Sequence, residues 1–147
     1  MKNRLLTHPT SIILAQASIE SGWGTSRFFL QGRNLFGVWS FNKNEQRIQT
    51  KGTRDGKHMY VKKYSTISES IEDYFKILAR GGAYVRFRAR RASTNNPYEI
   101  IKTLDKYCEL REKYVVKLKN QISYNKFEKY DAYELDPQYL RNFHLMM

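Results

Sequence analysis

A mainly helical α+β domain carrying one small β-hairpin is the fold class the sequence predicts, and three patterns predict it. Apolar residues recur at helical spacing in several separate segments, glycine and asparagine-proline signals bracket those segments, and one polar stretch reads as two short paired strands. At 147 residues the chain has the length of one domain, because two separate cores would each be marginal at this size.

The first helix is expected between His8 and Ser21. Pro9, between Thr7 and Thr10, suits a first turn whose N–H groups lack acceptors, and Ile12, Ile13, Ala15, Ala17 and Ile19 follow without a breaker. Gly22 and Gly24 stop it, which puts Glu20 in its last turn. Thr25 to Leu30 has room for one short helical piece, and Gly32, Asn34 and Gly37 make a turn-rich stretch around Leu35, Phe36 and Trp39. Ile48–Thr50 and Met59–Val61 read as strands flanking a turn over Lys51–Lys57, where Gly52 and Asp55-Gly56 are the turn residues.

Thr66 and Glu69 have the spacing of a capping box, and Ile67, Ile71, Tyr74, Phe75 and Leu78 follow at helical intervals until Gly81 and Gly82. Tyr84 to Ala92 reads as a basic helix, and Asn96-Pro97 as the start of another that runs through Lys106. Val115, Leu118 and Ile122 share one face of a further helix. The organisation expected is one domain over residues 1–123, followed by a polar, tyrosine-rich tail over 124–147 that is interrupted by Pro137 and packs loosely or extends.

Hydrophobic residues make up 41% and charged residues 27% of the chain, a composition that argues against disorder and against membrane spans. No apolar run approaches the roughly 20 residues a transmembrane helix needs, and Met1 to Thr10 shows no signal-peptide core. Cys108 is the one cysteine, so an intramolecular disulfide cannot form. The histidines and this cysteine lack metal-ligand spacing, so neither a metal nor another cofactor is expected. A net charge of +12 raises the local concentration of anionic polymers. Arg86, Arg88, Arg90 and Arg91, with Phe87 among them, fit either a phosphate backbone with base stacking or an anionic wall polymer. No helix-turn-helix, zinc or RNP-type pattern accompanies them, so nucleic acid is not the expected partner.

The chemistry concentrates in Leu14-Ala15-Gln16-Ala17-Ser18-Ile19-Glu20-Ser21-Gly22-Trp23-Gly24. A carboxyl at the C-terminal end of an apolar helix, next to an indole, meets partial negative charge and low hydration, both of which raise its pKa. An acid kept protonated near neutrality is what donates a proton to a glycosidic oxygen. The bland alternative is a solvated residue at a helix end.

This segment resembles the signature of the bacterial glucosaminidase-domain family (glycoside hydrolase family 73), whose members include Bax-type proteins and flagellar peptidoglycan hydrolases. Thr25-Ser26-Arg27-Phe28-Phe29, Asn34-Leu35-Phe36-Gly37-Val38-Trp39-Ser40-Phe41, Tyr64, Asp73-Tyr74, Ala83-Tyr84, Arg86-Phe87-Arg88 and Leu104 to Val115 are similar to the Bax-type branch. The likeness runs from about His8 to about Ile122.

The resemblance implies a lysozyme-like fold, cleavage of peptidoglycan glycan strands after N-acetylglucosamine, a periplasmic or cell-envelope location, and Glu20 as the general acid. A second carboxylate is needed about 5–9 Å away to stabilise the oxocarbenium-like transition state or activate water. The family carries it on a mobile β-lobe, where Glu45 and Asp55 are the candidates here. Glu45 ranks first, because Asp55 has the simpler role of a turn residue before Gly56. Tyr107 matches a family tyrosine near the cleaved sugar, with packing at a helix end as its alternative. Asn34, Phe36, Trp39 and Trp23 are the implied substrate-binding residues; the indoles suit sugar stacking, and core packing competes for Trp23. A catalytically silent wall-binding module on the same scaffold is the second reading.

Overall fold

Pro9 is followed by an uninterrupted helix-compatible run, and in the computed structural model, which describes residues 6–134, that run forms α1 (Thr10–Glu20). Pro9 is its N-cap, one position earlier than the first-turn placement expected of it. Ser11, Ile12, Ala15, Gln16 and Ser18 of α1 are buried, so the helix runs through the core and not over it. The chain then reverses through three left-handed residues, Gly22, Trp23 and Gly24, with φ of 56°, 55° and 77°. The Trp23 N–H bonds to the Ser18 carbonyl at 2.8 Å, closing the helix end from outside. Two glycines make this turn affordable, and Trp23 is its one strained residue.

Ser26 caps α2 (Arg27–Gly32) by accepting the Phe29 N–H. The hairpin pairs β1 (Arg47–Arg54) with β2 (Lys57–Lys62) antiparallel, with Ile48 opposite Val61. The strands are longer than the sequence suggested, and the turn shrinks to Asp55 and Gly56. Both have positive φ, 51° and 72°, the type I′ geometry that matches strand twist. Gly52 lies inside β1, within the register irregularity between Gln49 and Thr53, and so makes no turn.

One buried amide fastens the hairpin to the helices. Asn34 donates to the carbonyls of Val38 (3.0 Å) and Lys62 (2.9 Å) and accepts the Val38 N–H (2.9 Å). Lys62 N–H to Val38 carbonyl and Ser40 N–H to Tyr60 carbonyl extend the same seam.

The expected capping box opens α3 (Ile67–Arg80): Thr66 accepts the Glu69 N–H, and Glu69 reaches back to the N–H of Ser65. A short 3-10 turn (Gly82–Tyr84) leads into α4 (Val85–Ser93). Arg88 is buried, donating to the Leu78 and Gly81 carbonyls at the end of α3, while Arg91 is buried with its guanidinium 5.3 Å from the Phe87 ring. Half of the four-arginine cluster therefore belongs to the interior. Phe87 is fully buried, which removes the base-stacking role considered for it.

Asn96 caps α5 (Pro97–Ile101), which stops five residues before the expected Lys106. Thr103 turns its hydroxyl onto the Ile100 carbonyl and Leu104 N–H reaches only to Ile101, so tight turns replace the helix and drive Leu104 into the core. α6 (Glu112–Asn125) buries Tyr114, Leu118 and Ile122, and a 3-10 turn (Phe127–Tyr130) folds back over α1. Asp131 then takes both the N–H and the hydroxyl of Ser11 at 2.7 Å, a carboxylate at the N-terminus of α1. Thus residues 127–131 pack on the body, while Tyr124 and Tyr133 are exposed; the part of the tail containing Pro137 lies outside the described residues.

At the centre, Ile12, Phe36, Tyr74, Leu78, Phe87, Ile100, Leu104, Tyr114, Leu118 and Ile122 form one core. His8 enters it from the chain start, with Nε2 2.8 Å from the Tyr74 hydroxyl. Burial, reinforced by Arg91, lowers its pKa from 6.5 to about 3. The unfolded chain therefore takes up a proton at His8 that the folded chain refuses. Stability from this group is complete above pH 6.5 and lost as pH falls toward 3. In His8→Gln, which keeps a donor for Tyr74, denaturant unfolding across that window should lose up to about 5 kcal/mol of the wild-type pH dependence.

Candidate active site

α1, the loop after α2, and the 102–111 segment converge on an open cleft of about 1520 Å³ between the helical body and the hairpin. Pockets that enclose a single small ligand run roughly 300–1,000 Å³. This groove has room for several units of a polymer. Glu20 and Gly37 lie on its floor, Thr50, Lys51, Gly52, Thr53 and Arg54 form the hairpin wall, and Tyr84, Tyr107, Cys108, Glu109 and Leu110 form the opposite wall. Arg54 and Glu109 join the two walls by an ion pair of 2.9 Å.

Glu20 is half-buried at the end of α1, where a Cβ on Gly37 would stand 3.4 Å from its Oε2. Gly37 has φ of 65°, so this close backbone approach needs glycine twice over. Burial raises the Glu20 pKa, opposed by a hydrogen bond from the Tyr114 hydroxyl and by the charge of Lys117. The direction is the one its place in the sequence suggested.

Glu45 lines the same cleft. It accepts a 2.6 Å hydrogen bond from the Ser40 hydroxyl, and its other oxygen is 4.0 Å from Lys62 Nζ. Lys62 also binds Asp73 at 2.8 Å. Burial acts to raise the Asp73 pKa, but hydrogen bonds from Lys62 and Tyr64, with the charges of Lys62 and Lys76, hold it below the usual carboxylate range. Asp73 thus anchors Lys62 beside Glu45. Asp55, at the hairpin tip, is not among the residues lining the cleft.

Tyr107 is a wall residue whose ring stacks on Tyr114, with centroids 5.6 Å apart and planes within 5°. Its hydroxyl faces the Phe36 carbonyl at 3.4 Å. Trp39, 46% exposed, lines the cleft together with Phe28 and Phe41, an arrangement open to stacking by pyranose faces. Two residues expected to bind substrate are placed otherwise. Asn34 is buried with both amide protons engaged by backbone carbonyls, so its role here is to seat the hairpin. Trp23 is 62% exposed and lies outside the cleft, 6.2 Å from the Phe127 ring, which also excludes the core position considered for it. Phe36 touches the cleft but is 2% exposed, stacked on Tyr74 at 4.0 Å, and forms floor more than contact surface.

Sequence reasoning missed Tyr114, Gln16 and Lys62 as parts of this site. Tyr114 carried a signal, since it sits four and eight residues before Leu118 and Ile122 on the same helix face. Lys62 carried none, being one of many basic residues.

A glucosaminidase family model, described as mannosyl-glycoprotein endo-beta-N-acetylglucosaminidase, matches residues 2–144. Exo-glucosaminidase LytG of Bacillus subtilis (strain 168) is 34% identical over 79 residues, 50% of this chain and 28% of that protein. Protein bax of Escherichia coli (strain K12) is 34% identical over 84 residues, 57% of this chain and 28% of that protein. The chain thus spans just over a quarter of the length of these two relatives. Among solved structures, the catalytic domain of the autolysin Auto from Listeria monocytogenes superposes with a TM-score of 0.69 at 27% identity, covering 88% of this chain and 77% of that one. The shared architecture is the lysozyme-like fold.

A carboxyl whose folded pKa is raised costs stability once the pH exceeds its unfolded value, and the full cost is present above the folded pKa. Glu20→Gln should therefore raise the unfolding temperature at neutral pH, and the gain should vanish below pH 4, where the wild-type carboxyl is protonated in both states. Thermal scans of both proteins from pH 3 to 8 check this.

Proposed function

We propose, from the premise that this chain belongs to the glucosaminidase family, that it hydrolyses the glycosidic bond following N-acetylglucosamine within peptidoglycan strands. The observation that carries this reading is Glu20, a carboxyl with raised pKa on the floor of a polymer-sized cleft, with Glu45 on the same surface.

In this mechanism the protonated Glu20 gives its proton to the glycosidic oxygen as the C–O bond breaks, and the departing sugar leaves as an alcohol. Positive charge develops on the ring carbon and oxygen, and Glu45 faces it, either stabilising that charge directly or activating the water that completes hydrolysis. Ser40 and Lys62 fix the Glu45 carboxylate, which limits the reorganisation needed as charge develops. Tyr107 presents its hydroxyl toward the same floor, suited to the acetamido group or the attacking water. Trp39, Phe28 and Phe41 offer apolar faces to neighbouring sugars. The setting is the cell envelope or periplasm, and the basic surface favours anionic wall polymers as secondary contacts, with Arg86 and Arg90 the exposed members of the arginine helix.

Digestion of purified peptidoglycan followed by mass spectrometry tests the bond cut. Reducing-end N-acetylglucosamine is expected, and reducing-end N-acetylmuramic acid would overturn the assignment. Long soluble fragments early in digestion mark cutting inside strands, whereas small products released from strand ends would mark an exo mode.

Glu20→Gln should remove hydrolysis by at least about a thousandfold, because the amide keeps shape but donates no such proton. Glu45→Gln should lower kcat strongly with little change in KM, whereas Asp55→Asn should stay within a few-fold of wild type. Steady-state rates on a defined muropeptide substrate separate these outcomes; the reverse ranking would move the role to Asp55. Association with isolated wall material should weaken steadily from low to high salt, since exposed charges are screened beyond a Debye length of about 8 Å at physiological ionic strength.

A further inference from the structure

Behind Glu20 the core contains polar side chains that hydrolysis does not obviously require. His8 Nε2 is 2.8 Å from the Tyr74 hydroxyl, that hydroxyl donates to Gln16 Oε1 at 2.6 Å, and Gln16 Nε2 donates to the Tyr114 hydroxyl at 3.2 Å. Gln16 stands one helical turn before Glu20 on α1, so the Tyr114 hydroxyl it binds is set beside the Glu20 carboxyl and acts on it. Four elements contribute: the segment before α1, α1 itself, α3 and α6.

Counting protons fixes the direction of every link. Tyr74 has one hydroxyl proton and gives it to Gln16, so it can only accept from His8. His8 therefore carries its proton on Nε2, which agrees with its buried Nδ1 being without a hydrogen-bond partner. Gln16 uses its oxygen toward Tyr74, so its amide nitrogen faces Tyr114 and donates. The Tyr114 oxygen is thus an acceptor from Gln16, and its own proton is left for Glu20. All donors point the same way.

A purely packing role does not account for this. Other buried hydroxyls bond locally, as Thr103 does on the Ile100 carbonyl, or to one distant partner, as Ser11 does with Asp131. Phenylalanine at 74 and leucine at 16 would fill the same space with no polar group to satisfy. Here, instead, three long-range contacts are linked in series through His8, Tyr74, Gln16 and Tyr114, and linked donors polarise one another.

We propose that Tyr114, oriented by Gln16 and Tyr74 with His8 as the terminal donor, is a positioning residue that aims and holds the Glu20 carboxyl. Tyr114 lies outside the cleft lining, so it acts on Glu20 and not on the sugar. Its donated hydrogen bond favours the carboxylate left after proton transfer, and counters the burial that opposes that charge. The other groups facing Glu20 are few: Lys117 from α6, Tyr107 from the 102–111 segment, the Gly37 backbone, and the C-terminal end of α1 itself. The proposal rests on the reading of Glu20 as the acid only for its effect on rate, not for its effect on the carboxyl.

The test is the titration of Glu20 followed by carbon-13 NMR of its side-chain carboxyl, assigned by its disappearance in Glu20→Gln, alongside the pH profile of hydrolysis. Tyr114→Phe should raise the midpoint by about one pH unit, the worth of a charge-assisted hydrogen bond. Tyr74→Phe, which touches no part of Glu20, should move it less in the same direction, and the alkaline limb of kcat should follow both shifts while KM stays put. A 3-fluorotyrosine in place of Tyr114, nearly isosteric but a stronger donor, should lower the midpoint. Should the phenylalanine variants fail to fold, the fluorinated protein decides alone. An unmoved Glu20 midpoint in the folded variants overturns the proposal. Normal hydrolysis by Glu20→Gln would instead sink the catalytic reading, while the titration would still decide the relay.

Discussion

The Tyr74 hydroxyl lies at the centre of an apolar core, beyond the reach of water, and its hydrogen bonds must be made inside the protein. That requirement joins α1 to α3 through Gln16, and it draws His8 in from the chain start. It also sets the spacing of the aromatic layer, since Phe36 stacks on one face of the same ring while Tyr107 and Tyr114 pack alongside. The floor of the cleft is the upper surface of this layer. A residue that looks like core filling thus determines where Glu20, the loop carrying Gly37 and the aromatic wall meet.

Interactions of short range were the legible part. The glycines after Glu20, the Thr66 and Glu69 pair, Asn96-Pro97 and Asp55-Gly56 each act within a few residues, so their consequences can be read from adjacent letters. The place of Glu20 at a helix end was legible for the same reason, and the ranking of Glu45 over Asp55 used only turn chemistry. What the sequence hid was set by distant partners. Asn34 resembled a turn residue, yet its amide is committed to Lys62, 28 positions away. Arg88 looked like surface charge because nothing beside it announces the carbonyls at the end of α3 that receive it inside. The early end of α5 likewise follows from burying Leu104, which propensity alone does not register.

The site divides its demands between two kinds of support. Glu20 sits on a helix end held by the core, and its surroundings are mostly aromatic and backbone. Glu45 sits on a loop stabilised by charge, through Lys62 and behind it Asp73 and Tyr64. The two carboxyls are therefore placed in different environments, one apolar and one ionic. Burial disfavours charge on the first, while the second has a hydroxyl and an ammonium group within reach.

The ion pair between Arg54 and Glu109 crosses the groove, with side chains 66% and 82% exposed. Pairs this exposed contribute roughly 0.2–1 kcal/mol. At that strength, and with nothing else opposing separation, the strap is undone in roughly a sixth to two-fifths of molecules at any instant. A glycan strand of the kind proposed as substrate would not have to be threaded beneath it end first, because the strap parts by itself often enough for a strand to be laid in sideways. On the hydrolytic reading, the same weakness would let go of what has been cut, so the hairpin could restrain a polymer without becoming a barrier to turnover.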